Sequence, residues 1–233
     1  MRESNGEFDA NGGIPVLKQE ILTRIRRTGI MPVLRAVSTE EALAIVKALT
    51  AGGIDVIEVT MTVPGAIDII RKLSRTRTDL LVGAGTVLDA ENARVCMQEG
   101  AQFIVTPVTN IATIEICQKH SIAIFPGALT PTEILTAWQA GGDAIKVFPA
   151  SAMGGAPYLR SLKAPLPQVE LIPTGGISTA TAAEFLRAGA FALGIGADLC
   201  DSSAIAQGQP QRITQTARQY IQIVAAFRAS SGA

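Results

Sequence analysis

Short β-rich runs and amphipathic helical stretches alternate along almost the whole chain, and glycine marks most returns from helix to strand. The runs are Met31–Leu34, Ile54–Val59, Leu80–Val82, Gln102–Thr106, Ile122–Phe125, Ala144–Phe148, Glu170–Pro173 and Phe191–Ile195. Helical stretches between them include Thr39–Thr50, Ala66–Ser74, Ala90–Glu99, Ile111–Lys119, Thr132–Ala140 and Ala180–Ala188. Stops at Gly52-Gly53, Gly100, Gly141-Gly142 and Gly189, and caps at Ser38, Asp89 and Thr130, bound these stretches. Strand–helix alternation calls for parallel strands joined by crossover helices. Units repeating every roughly 20–25 residues predict an α/β fold of the (β/α)8 barrel (TIM barrel) type. The rival, a doubly wound open sheet, usually carries a Gly-rich phosphate loop after its first strand, and no such loop follows Met31–Leu34. An additional N-terminal helix over Val16–Arg27 would close the barrel bottom. A last helix around Ile213–Phe227 places Ile213, Ala217, Tyr220, Ile221, Val224 and Phe227 on one face.

The chain has 233 residues, and 48% of them are hydrophobic, which suits one large domain. Residues 1–14 are polar and Gly/Asn-rich and read as a flexible extension, leaving 15–233 as a single (β/α)8 domain. The formal charge is zero and aromatics make up 4%, so nothing points to a nucleic-acid partner. No apolar run is long enough for a membrane span, and no signal-peptide core precedes the first helix. Cys96, Cys117 and Cys200 are scattered without metal-type spacing, and His120 is the only histidine. A metal site or a histidine base is therefore not expected, and the cysteines read as buried hydrophobes in a reducing, cytoplasmic setting.

Barrel chemistry sits at the carboxyl ends of the strands. The sixth run, Asp143-Ala144-Ile145-Lys146-Val147-Phe148-Pro149, carries a lysine in its middle. Burying an ammonium costs several kcal/mol unless it is paired or sheds its proton. A neutral buried amine is a nucleophile suited to a carbonyl. The second run repeats the anomaly with Glu58. Period-two alternation puts Val56, Glu58 and Thr60 on one face, and Ala144, Lys146 and Phe148 on the matching face, toward the barrel axis. Alternate strands share an interior layer, so Glu58 and Lys146 are expected to approach one another. The plainer alternatives are a lysine that snorkels to solvent or a structural ion pair.

The ends of the last two runs, Gly175-Gly176 and Gly194-Ile195-Gly196, offer uncrowded backbone N–H groups where this fold commonly binds phosphate. Arg35 ends the first run, neighbours the eighth once the barrel closes, and could add a contact to the same anion.

Together these segments resemble a known family. Glu58-Val59-Thr60-Met61-Thr62-Val63-Pro64, Gly83-Ala84-Gly85-Thr86-Val87, Phe103-Ile104-Val105-Thr106-Pro107, Lys146-Val147-Phe148-Pro149 and Ile172-Pro173-Thr174-Gly175-Gly176-Ile177 are similar to the class I aldolases for 2-keto-3-deoxy-6-phosphogluconate (KDPG) and 4-hydroxy-2-oxoglutarate (KHG). The resemblance implies a Schiff-base lysine at Lys146, a carboxylate acid/base at Glu58, and a small 2-keto acid substrate. It also implies a pyruvate pocket involving Thr86 and Pro107, no cofactor beyond the covalent imine, and a homotrimer. Thr62 stands where some members place an arginine for the substrate carboxylate, so that contact falls to Thr62, Thr86 and backbone N–H groups. Phosphate contacts are implied at Gly175, Gly176, Gly196 and Ala197. Ala197, however, stands where many members carry a serine or threonine hydroxyl, which keeps unphosphorylated KHG open as a substrate. Thr174 matches a position associated with substrate stereochemistry. The resemblance thus implies cleavage of KDPG to pyruvate and glyceraldehyde 3-phosphate, with the phosphogalactonate analogue as an alternative. Two other readings are an acid–base isomerase or synthase using the same pair, and a non-catalytic sugar-phosphate-binding barrel.

Overall fold

The computed structural model describes residues 17–231; the expected lead-in over residues 1–14, and Val16 of the expected first helix, lie outside the described residues. Helix α1 (Lys18–Thr28) leads into strand β1 (Ile30–Leu34). The alternation then runs α2 (Thr39–Ala51), β2 (Val56–Thr60), α3 (Ala66–Thr76), β3 (Leu81–Gly85), α4 (Ala90–Gln98), β4 (Phe103–Val105) and α5 (Ile111–Lys119). It continues through β5 (Ala123–Phe125), β6 (Gly127–Ala128), α6 (Pro131–Gln139), β7 (Ile145–Val147), α7 (Ala156–Lys163) and β8 (Leu171–Pro173). The chain ends with α8 (Ala182–Arg187), β9 (Leu193–Ile195), α9 (Ser202–Ala206) and α10 (Gln211–Ser231).

Strands pair in the orders β5-β4-β3-β2-β1-β9 and β6-β7-β8, with every ladder parallel. Two joins close the barrel. The chain itself passes from β5 to β6 through Pro126, whose carbonyl accepts from the Lys146 N–H at 2.9 Å. On the other side, bridges at Leu171–Ala190 and Thr174–Gly194 tie β8 to β9. Where one fifth strand was expected, Pro126 splits it in two, because proline brings no N–H to the ladder. Lys146 therefore lies on β7. Helices α7 and α9 are short, eight and five residues, and left no periodic signal in the sequence.

The side chains divide into two apolar layers. Ile57, Val59, Ile145 and Val147 face outward into the layer between strands and helices, with Ile213, Ala217, Tyr220 and Val224 of α10. Met31, Val56, Leu81, Phe103, Phe125, Ala144 and Ile172 fill the barrel interior. Ile21 and Ile25 of α1 join that interior set, so α1 plugs the amino end of the barrel. Its polar edge is stitched to carboxylates that sit just before strands. Lys18 pairs with Asp143 at 2.8 Å, Arg24 and Arg27 with Asp55 at 2.9 and 3.1 Å, and Arg26 with Glu170 at 2.5 Å. Such partly exposed pairs contribute roughly 0–1 kcal/mol each, so they orient α1 while Ile21 and Ile25 supply most of the binding. Truncating Ile25 to alanine is expected to cost about 2–5 kcal/mol, read as a lower urea midpoint at unchanged slope. An unchanged midpoint would mean that α1 does not seal the barrel.

Candidate active site

At the carboxyl end of β2, Glu58 is wholly buried, and Lys146 on β7 is 4% exposed. Lys146 Nζ lies 3.9 Å from Glu58 Oε1, inside ion-pair range but too far for a hydrogen bond. Neither carboxylate oxygen accepts a hydrogen bond from the described residues. Two side chains from opposite walls of the barrel thus meet on its axis.

The backbone explains how they reach each other. Glu58 is in register with Gly83 on β3, and its carboxylate leans over Gly85, where a Cβ would stand 1.9 Å from Oε1. Gly83 is empty for another reason: the Phe103 ring fills the barrel centre and would meet a Cβ there at 2.3 Å. Phe103 and Phe125, with ring centroids 5.8 Å apart, form the floor beneath the pair. The ring of Phe148 stands 5.6 Å from Lys146 Nζ. Apolar walls and floor leave little to solvate a charge. Burial accordingly holds the Glu58 carboxyl above the usual carboxylate range, against the opposing pull of Lys146 and Arg35.

The expected binding residues sit at the strand ends and in the loops that follow them. Arg35 lines a cavity of about 280 Å³ with Ala36, Val37, Ala197, Cys200 and Ser202. Wider hollows of about 420 and 450 Å³ lie elsewhere, one at the amino ends of β2 and β3 among paired ions and one along α10. Neither is lined by any of the expected site residues, whereas the smaller cavity is lined by Arg35 and Ala197. The Cys200 thiol beside Arg35 is pushed up to about 12, by burial first, so it stays protonated and inert near neutral pH. Thr60 donates to the Leu34 carbonyl at 2.8 Å, and its hydroxyl lies 2.8 Å from that of exposed Thr62. Thr86 holds a left-handed φ of 57°, strained for a β-branched residue, at the end of β3. Pro107 closes over Gly127, and the Thr106 hydroxyl clamps that corner by accepting from the Gly127 N–H at 3.2 Å and donating to the Val108 carbonyl at 2.5 Å.

The glycine ends of β8 and β9 need a correction. Gly194 is not an uncrowded anion contact, because the nearly buried Thr174 hydroxyl occupies the place of its missing side chain, 2.1 Å from a Cβ there. Gly196 does open on free space, and Gly175 and Gly176 adopt φ of 95° and 71°. The sequence assigns no role to Thr106 or Ser151 and places Thr60 only on the face of Glu58. Thr60 could have been found by its shared face with Glu58, whereas nothing local marks Ser151.

Among the described residues no cluster of three or more histidine, cysteine, aspartate or glutamate side chains could hold a metal, and no helix is long and apolar enough to cross a membrane.

Fold and site together define the class, an α/β-barrel carbon–carbon lyase. The chain belongs to the KDPG and KHG aldolase family, whose model matches residues 21–216. It is 36% identical to the 2-dehydro-3-deoxy-phosphogluconate aldolase of Haemophilus influenzae over 72% of this chain and 79% of that one. It is 33% identical to the 2-dehydro-3-deoxy-6-phosphogalactonate aldolase of Escherichia coli over 85% of this chain and 94% of that one. The crystal structure of the KDPG aldolase of Legionella pneumophila, with pyruvate captured at low pH as a covalent carbinolamine intermediate, superposes with a TM-score of 0.79 at 31% identity. That match covers 87% of this chain and 97% of the other.

The raised Glu58 pKa has a thermodynamic consequence. The folded protein holds this proton more tightly than the unfolded chain does. The resulting stability is complete below the unfolded value of about 4.3 and is lost as pH rises through the folded value. Glu58→Gln is therefore expected to melt higher than the parent near neutral pH, with a gap that narrows as the buffer approaches about pH 4. A constant gap across that range would contradict a buried, desolvated carboxyl.

Proposed function

We propose that this protein is a class I aldolase that cleaves 2-keto-3-deoxy-6-phosphogluconate to pyruvate and glyceraldehyde 3-phosphate, and 4-hydroxy-2-oxoglutarate to pyruvate and glyoxylate. The observation that carries the assignment is the 3.9 Å approach of Lys146 to Glu58 inside the barrel, on the side away from the α1 plug. An amine and a carboxyl at this separation, in an apolar setting, can share one substrate carbon between them.

In this reading the Lys146 amine attacks the C2 ketone to give a carbinolamine. Glu58, as the acid, protonates the departing hydroxyl, and water leaves to give the protonated imine. Glu58, now ionised, takes the proton of the C4 hydroxyl; the C3–C4 bond breaks, its electrons move into the iminium, and the aldehyde departs. Glu58 returns the proton to C3 of the enamine, and hydrolysis frees pyruvate and the amine. A carboxyl that both gives and takes a proton works best with its pKa raised toward the working pH, the direction that burial produces here. No metal or cofactor is required, since the protonated imine is the electron sink. Thr62, Thr86 and Pro107 are assigned to the keto-acid end, Arg35 with Gly175, Gly176, Gly196 and Ala197 to the phosphate end, and Thr174 to the middle of the substrate. Similarity to the Escherichia coli phosphogalactonate aldolase keeps the C4 epimer as the second reading. The family resemblance further supports a homotrimer of single-domain subunits, residues 15–233, in the cytoplasm.

Borohydride added with pyruvate is expected to leave a reduced adduct on Lys146, located by peptide mass spectrometry, and Lys146→Ala should take up none and turn over no substrate. Labelling of that variant at the parent level would sink the assignment. Glu58→Gln should lower the retro-aldol rate by about 10²–10⁴ with the fold retained. A parent-like rate would remove Glu58 from the chemistry.

A further inference from the structure

Ser151 opens a 3-10 turn, Ser151–Met153, that follows β7. The segment behind Lys146 does not leave the site at once but runs beside the loop after β8. The Ala150 N–H donates to the Thr174 carbonyl at 2.9 Å, and the Ser151 N–H to the Gly175 carbonyl at 3.3 Å. Phe148, next to Lys146 Nζ, lies within 3.5 Å of the position a Gly175 Cβ would take. At Gly176 the occupant of that position is the Ser151 side chain, whose Oγ stands 2.2 Å from it. The Ser151 hydroxyl thus fills the place of the absent side chain on the glycine loop. The residue is exposed, and its hydroxyl makes no hydrogen bond to the described residues.

This placement bears on the missing hydroxyl at Ala197. A phosphate monoester presents three strong acceptor oxygens and is held by several donors at once. Backbone amides of the Gly175-Gly176 loop can supply some of them, while the loop after β9 supplies only backbone at Gly196 and a methyl group at Ala197. We propose that Ser151 donates a hydroxyl hydrogen bond to the terminal phosphoryl group of the substrate, so that the segment after β7 supplies the hydroxyl that the loop after β9 lacks at Ala197. The assignment rests on the reading of this site as that of a 2-keto-acid aldolase and deepens it, for it makes phosphorylated substrates the preferred class. It also links the two ends of the substrate to one stretch of chain, since Lys146 and Ser151 are separated by only four residues.

Ser151→Ala is compared with the parent on 2-keto-3-deoxy-6-phosphogluconate and on unphosphorylated 2-keto-3-deoxygluconate. A charge-assisted hydrogen bond lost from binding predicts a KM about 10- to 100-fold higher for the phosphorylated compound, with its kcat, and both constants for the unphosphorylated one, changed by less than about twofold. Equal losses on both substrates, or no loss on the phosphorylated one, would overturn the proposal. Calorimetric titration with glycerol 3-phosphate provides a readout free of turnover. Weaker binding by Ser151→Ala supports the role of the hydroxyl even where the parent fails to cleave the phosphorylated substrate, a result that would defeat only the functional reading. Equal binding by the two proteins defeats the Ser151 assignment itself.

Discussion

An unpartnered carboxyl in an apolar barrel is an expensive thing to keep, and much of the local architecture is arranged around Glu58. Isolated, it would cost several kcal/mol as an anion; burial raises its pKa, and Lys146 at 3.9 Å pulls the other way. The floor of Phe103 and Phe125, the glycines of β3 and the join at Pro126 each serve this arrangement. Phe103 sets the depth of the site, Gly85 leaves the carboxylate room to lean toward the open end, and Pro126 turns its carbonyl to the backbone of Lys146. A structural ion pair would gain from closer contact and full hydrogen bonding. The looser pair seen here leaves both groups with bonding capacity to spend on a bound molecule.

The barrel separates this strained end from the one that holds it together. At the amino ends of the strands, Asp55, Asp143 and Glu170 tie α1 beneath the interior, with Ile21 and Ile25 packed upward into it. Those ion pairs reach solvent, where salt screens them and each contributes little. At the carboxyl ends Glu58 and Lys146 are enclosed, so their energetics depend on packing a few ångströms away. Thr86, held at a positive φ, belongs to the same economy, because a β-branched residue adopts that conformation only where the surrounding structure enforces it.

Much of this was legible in the sequence because it follows from period. Two-residue alternation set Glu58 and Lys146 on inward faces, and the repeat of strand and helix set them on one barrel. What escaped depends on distances between segments far apart in sequence. Gly194 reads like Gly196 as a letter, yet one accommodates the Thr174 hydroxyl and the other opens on free space. Proline at 126 looks like a terminator, but in a closed barrel it is a joint between two pieces of one stave. Ser151 carries no local signal, and only its lodging against Gly176 brings it to notice.

Gly85 shows how function can reside in a residue that has nothing to react with. A single added methyl group would stand 1.9 Å from a carboxylate oxygen of Glu58, with the strand on either side fixed in register. Gly85 has no side chain to react, and replacing it by alanine would displace that carboxylate. Its contribution is an absence of volume, kept at the one point where the carboxylate must lie.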